Sequence, residues 1–137
     1  YVKTTSTWPQ VLGHAPWVEE VWVNYVSNAL KYGGSPPRVV LGADAPGDGQ
    51  TRFWVQDNGA GIDHADRDRL FVPFARLHAG GIEGHGLGLA IVRQIIERLG
   101  GTCGIEDSPL GGTTFYFTLP SVEVDEVVEV QSVGFAH

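Results

Sequence analysis

The chain has 137 residues, 42% of them apolar, and a net charge of −7 from 9 basic and 16 acidic side chains; that is enough for one domain with a real core, and the wrong sign for a nucleic-acid binder, whose contacts are led by clustered Lys and Arg. No apolar run reaches the ~18–20 residues of a membrane span and no signal-peptide pattern opens the chain, so the expectation is a cytoplasmic domain without direct membrane contact, whatever anchors its parent. Cys103 is the sole cysteine, which excludes an internal disulfide and fits a reducing compartment.

In chain order, a short strand is expected around Gln10–Gly13. Pro16 suits a first helical turn, and Trp17, Val18, Val21, Trp22, Tyr25, Val26, Ala29 and Leu30 recur at i, i+3, i+4, the stripe of an amphipathic helix to Tyr32. Gly33-Gly34 ends it and Pro36-Pro37 prevents its resumption. Arg38–Ala43 reads as a strand, Ala45–Gln50 as a hairpin loop, and Thr51–Gln56 as the returning strand. His64–Leu70 reads as a short helix with Asp63 as its N-cap. Phe71–Leu77 is aromatic and compact, and His78–Gly84, glycine-rich and poor in apolar residues, is expected to be mobile. Gly86–Leu99 is the second long helix, stopped by Gly100-Gly101; strands follow at Thr102–Glu106 and Thr113–Leu119. Pro120 closes a domain of residues 1–120, and Ser121–His137 is read as an acidic tail or linker, with an added strand as the alternative. The order implies an α+β fold. It is a two-layer sandwich: a mixed, mostly antiparallel sheet of about five strands, covered on one face by about three helices. The glycine motifs lie at element ends on the other side of the helices.

Five stretches carry chemistry. Gly84-His85-Gly86-Leu87-Gly88-Leu89 puts three alternating glycines before a helix start, where free N–H groups and the positive end of the dipole favour a phosphate; by itself it is equally a flexible turn. Asn24 and Asn28 share one helix face, with Lys31 and Tyr32 in the next turn. An amide oxygen can ligate Mg²⁺, Lys31 can neutralise a phosphate and Tyr32 can pack on a base or sugar; two solvent-facing amides are the plain alternative. Asp57-Asn58-Gly59-Ala60-Gly61 places a carboxylate at a strand end, able to accept from the exocyclic amine of adenine, unless it is an ordinary Asp-Gly turn. Arg76 is available to a phosphate, and Gly112-Thr113-Thr114-Phe115 can place a Thr hydroxyl near the base; either is also plain packing or turn chemistry.

Taken in this order, the motifs resemble the catalytic ATP-binding domain of sensor histidine kinases, among the Bergerat-fold ATPases that include gyrase, Hsp90 chaperones and MutL. Asn24–Tyr32 is similar to the N box, Asp57–Gly61 to the G1 box, Leu70–Leu77 to the F box, Gly84–Leu89 to the G2 box and Gly112–Phe115 to the final strand, together covering about residues 8–120. The resemblance implies ATP and Mg²⁺ as cofactors. Asn28 would ligate the metal, Asn24 would lie beside the phosphates, and Lys31 and Tyr32 would flank phosphate and base. Asp57 would bond the adenine amine, with Gly59 and Gly61 letting backbone approach the base. Gly84, Gly86 and Gly88 would frame the triphosphate, with Leu87 in the same motif, beneath a short lid near residues 76–85 that includes His85. Gyrase-like and Hsp90-like relatives carry an acidic water-activating base where this chain has Asn24, and an amide cannot act as such a base, so slow hydrolysis is expected. None of His14, His64, His78, His85 or His137 has the context of a phosphoacceptor. The implied partners are therefore a separate helical dimerisation and acceptor domain of a longer kinase and, indirectly, a response regulator. An anti-sigma-type serine kinase of the same fold and a non-catalytic nucleotide-binding module are the alternatives.

Overall fold

A computed structural model describes residues 2–3, 10–72, 88–109, 111–121 and 127–129. The elements are β1 (Val2–Lys3), β2 (Gln10–Leu12), α1 (Ala15–Tyr32), β3 (Val39–Asp44), β4 (Gln50–Asp57), α2 (His64–Arg67) followed by a 3-10 turn (Asp68–Phe71), α3 (Gly88–Arg98), β5 (Cys103–Asp107), β6 (Thr113–Pro120) and β7 (Val127–Glu129). Five strands form one sheet in the order β1-β3-β4-β6-β5, with β1 parallel to β3 and the other pairs antiparallel. The expected mixed, mostly antiparallel α+β sandwich is the fold observed. The parallel β1 was not anticipated, because two residues are too few to show a period.

Alternation in β4 and β6 decides what faces the helices. Thr51, Phe53, Val55 and Asp57 are buried and the residues between them are half-buried; Phe115, Phe117 and Leu119 repeat the pattern on β6. Side chains two apart share a face, so Asp57 lies on the inner, helix-covered face. Phe53 and Phe117 are cross-strand partners and stack with ring centroids 5.0 Å apart. Trp22 of α1 meets Phe117 edge-on at 5.2 Å. Each such buried side chain stabilises the fold by about 1.5–3 kcal/mol. Tyr25 is fully buried, and its hydroxyl donates to the Tyr116 carbonyl at 2.8 Å, which avoids the cost of an unpaired buried donor.

Pro16 sits in the first turn of α1, where its missing N–H costs nothing. Val18, Val21, Trp22, Tyr25, Val26 and Ala29 are buried, but Trp17 and Leu30 remain 38% and 41% exposed. At about 100° per residue these two fall at the margins of the stripe, beyond its contact with the sheet. The helix expected over His64–Leu70 splits into α2 and a 3-10 turn. Asp63 caps it through its carbonyl, which accepts the Asp66 N–H at 2.9 Å, and makes no side-chain cap bond. After Pro120 the chain carries a strand where a tail or linker was expected. Val127–Glu129 pairs antiparallel with Gln10–Leu12, and Ser121 bridges Val11. Val127 and Val128 are β-branched and suit an extended strand, and pairing satisfies backbone groups on both segments.

No helix among the described residues is long and apolar enough to cross a membrane. Cys103 is free and partly buried, and burial pushes its thiol up to about 11, so it is protonated at neutral pH and a poor nucleophile.

Candidate functional site

Asp57 ends β4 and is 3% exposed. Its Oδ1 accepts the Gly59 N–H at 2.9 Å and the Thr113 N–H at 3.1 Å. Burial pushes the carboxyl above the ordinary value of 3.8, and the two N–H bonds pull the other way. Among the described residues nothing donates to Oδ2. A buried carboxylate with one oxygen doubly bonded and the other unclaimed is suited to accept an N–H from a ligand, because desolvation makes that bond worth more than it would be in water. Two glycines leave the backbone bare around Asp57. A Cβ on Gly112 would lie 2.5 Å from the Gly59 nitrogen and 2.6 Å from the Asp57 carbonyl. Gly61 sits at φ 82°, a conformation open to glycine, so loop backbone is presented there without a side chain.

Asn58 does different work from its neighbours. Its Oδ1 accepts the N–H groups of Gly34 and Arg38 at 2.9 and 2.8 Å, and its Nδ2 donates to the Pro36 carbonyl at 3.2 Å. The Gly-Gly-Ser-Pro-Pro turn after α1 is thereby tied to the strand that carries Asp57. Sequence reasoning assigned Asn58 no role. An Asx residue just after a strand was the available signal, but its partners lie 20 to 24 residues earlier.

On α1, Asn24 and Asn28 are half-buried on one face. The Asn24 Nδ2 donates to the Glu20 carbonyl at 2.8 Å, which turns Oδ1 toward the start of α3. There a Cβ on Gly88 would lie 2.6 Å from that oxygen, so a larger residue would have to push the Asn24 amide aside. The positive end of the α3 dipole thus meets the Asn24 amide, a setting that suits an anion. Among the described residues no hydrogen bond engages the Asn28 side chain. Lys31 is exposed in the last turn of α1. From Asn24 to Tyr32 is eight residues, or about 12 Å of helix axis. α1 therefore runs from the amide at α3 to the Gly34–Asn58 clamp beside Asp57.

The structure brings Asn24 to Gly88, and Asp57 to Gly59, Gly112 and Thr113. Thr113 contributes its backbone N–H. Thr114 does not join them: its hydroxyl donates to the Asp107 carbonyl at 3.2 Å, and strand alternation puts its side chain opposite that of Thr113. Tyr32 is the last residue of α1, and its side chain lies outside the described residues, as do Arg76, Gly84, His85, Gly86, Leu87 and the expected mobile segment His78–Gly84.

Residues 13–123 match the family described as histidine kinase-, DNA gyrase B-, and HSP90-like ATPase. The chain is 39% identical over 114 residues to phytochrome-like protein Cph1 of Synechocystis sp., which is 82% of this chain and 15% of that protein. This chain thus spans a small part of the length of that curated relative. The mycobacterial sensor histidine kinase MprB superposes with a TM-score of 0.78 at 27% identity, over 90% of this chain and 84% of that one. Full-length ShkA in complex with AMPPNP gives 0.73 at 29% identity, over 90% of this chain and 26% of that one.

Proposed function

Because the chain belongs to the histidine kinase-, DNA gyrase B- and HSP90-like ATPases, we propose that it is the ATP- and Mg²⁺-binding catalytic domain of a two-component sensor histidine kinase, passing the γ-phosphate to a histidine on a separate helical dimerisation and acceptor domain. A response regulator would be the downstream partner. The observation that carries the reading is Asp57, buried, with Oδ1 held by two backbone N–H groups and Oδ2 open to a donor. Adenine offers an amine N–H to such an oxygen, whereas guanine offers a carbonyl there. Gly61 lets backbone come close to the base, and Lys31 supplies a positive charge toward the phosphates.

The phosphate end is read from Asn24 and Gly88 at the head of α3, with Gly84, His85, Gly86, Leu87 and Arg76 completing it. Asn24 has no proton-accepting group, so it cannot activate water, which favours transfer to a supplied acceptor over hydrolysis. Catalysis on this reading is positioning and charge neutralisation. Mg²⁺, when bound, offsets the charge on the phosphate oxygens. The donor set fits it. The Asn28 amide oxygen, which no hydrogen bond engages among the described residues, suits an ion that takes most of its ligands from phosphate and water. ATP titrations with and without Mg²⁺ check this: the parent should show a clear metal effect and Asn28→Leu little. Equal metal dependence in both would remove Asn28 as the ligand.

The reading is tested by incubating the chain with γ-labelled ATP, alone and with an acceptor-helix domain in trans. Alone, it should bind ATP without labelling itself. With the acceptor domain it should form an acid-labile phosphoramidate, weakly, because a linker's effective concentration is missing. Acid-stable labelling of Ser or Thr, or binding without transfer to any acceptor, would overturn it.

A further inference from the structure

The loop that leaves Asp57 and the turn that leads into Thr113 are joined a second time, away from the carboxylate. Arg67, at the end of α2, has a side chain only 13% exposed. Its Nε donates to the Ile62 carbonyl at 3.1 Å, one residue past Gly61, and its Nη2 donates to Asp107 Oδ1 at 2.5 Å. Asp107 ends β5 and begins the turn closed by the Ser108 N–H to Gly112 carbonyl bond at 3.0 Å. Its own carbonyl accepts the Thr114 hydroxyl. That turn delivers Gly112 and Thr113 against Asp57 and Gly59. One guanidinium therefore spans the two walls that hold the Asp57 carboxylate. The Arg67 hydrogen bond and charge hold the Asp107 carboxyl below its ordinary value, as an engaged pair requires. A planar guanidinium can bridge a carbonyl and a carboxylate at once, which a point charge cannot do as well.

We propose that the Arg67–Asp107 clasp sets how tightly this site holds the base of a nucleotide, with Arg67 as a positioning residue that fixes the spacing between the Gly59–Ile62 loop and the Asp107–Thr113 turn. The proposal rests on the adenine-binding reading of Asp57. The clasp touches the base end alone, so its loss weakens adenosine and ATP alike and leaves the step at the γ-phosphate unchanged once the site is full.

The test measures adenosine and ATP binding by calorimetry on the 137-residue chain and on Arg67→Met, Asp107→Asn and the double variant, at low and high salt. Arg67→Met should weaken both ligands by about fivefold, since a charged hydrogen bond to a part-buried carbonyl is lost, and Asp107→Asn by about threefold, since its carboxylate is exposed. The double variant should be no weaker than Arg67→Met, because the two side chains act as one unit. Adenosine carries no charge, so salt can reach its affinity only through the protein. The parent's adenosine affinity should fall with salt and that of Asp107→Asn should not. Transfer to an acceptor domain at saturating ATP should match the parent while KM rises. Unchanged affinity in both single variants, additive losses, or an equal salt effect in Asp107→Asn would overturn the clasp while leaving the nucleotide reading standing. A parent that binds neither adenosine nor ATP would remove both. Asp107→Asn changes one exposed group and keeps its shape, so it reads the clasp even if Arg67→Met folds poorly.

Discussion

Asp57→Asn is expected to weaken ATP binding by at least about tenfold, from loss of a charge-assisted bond worth roughly 1.5–3 kcal/mol, while the domain stays folded. The Asn oxygen can keep both bonds that Asp57 Oδ1 accepts from Gly59 and Thr113. Its amide nitrogen then sits where Oδ2 was and presents donors to the donor of adenine. The same substitution has a readout in stability. The folded-state value of Asp57 is raised above 3.8 by burial, so the folded chain keeps this proton to higher pH than the unfolded chain does. Stability from this group is present below 3.8 and is lost as pH rises through the raised value. The Asn variant has no such proton. Thermal melts without ligand from acid to neutral pH should therefore show the variant losing this pH dependence and being at least as stable as the parent at pH 7. A group placed for a ligand at some cost to the empty fold behaves in this way. Unchanged ATP affinity would take Asp57 out of the base site.

Gly112→Ala should do more damage, through sterics alone. The added methyl would sit against Asp57 Oδ1, 2.5 Å from the Gly59 nitrogen and 2.6 Å from the Asp57 carbonyl oxygen. Two of these three atoms are backbone, so relief requires the loop and the turn to part, breaking the bonds that orient the carboxylate. Overpacking of this kind costs about 1–3 kcal/mol of stability. The ligand loses the Asp57 bond and the loop geometry together, so ATP affinity should drop about a hundredfold, at 1.4 kcal/mol per decade. Gly111→Ala is the control. Its φ is 94° but a Cβ there meets nothing within 4 Å, so it carries left-handed strain of about 1–2 kcal/mol without entering the site. Denaturant melts and ATP titrations on the pair separate the two effects. Near-parental affinity in Gly112→Ala would mean that the turn does not press on the base site.

Much of the site was legible because its signals are local. Asp57 at a strand end before Gly59 and Gly61, and the Asn24–Asn28 spacing on one helical turn, can be read within a few residues. The contacts that give those residues their setting could not be read so. Asn58 clamps residues that precede it by 20 to 24 positions, Gly112 meets Asp57 from a distant part of the chain, and Arg67 reaches Asp107 across 40 residues. Thr114 shows the converse. Its place in a motif suggested a hydroxyl at the base, and the period of the strand turned it to the other face.

By itself, the sequence determined the helix stripe of α1 and the alternation along β4 and along β6, since each depends on the short-range geometry of 3.6 or 2 residues per repeat. Only the tertiary structure decided that Gly112 presses on Asp57, that Asn24 meets Gly88 at the head of α3, and that Val127–Glu129 returns to pair with Gln10–Leu12. These are matters of close approach between segments far apart in the chain. They are settled by where a missing Cβ lets two backbones come together and by which free backbone groups find partners, and neither leaves a periodic trace in the residues on one side alone.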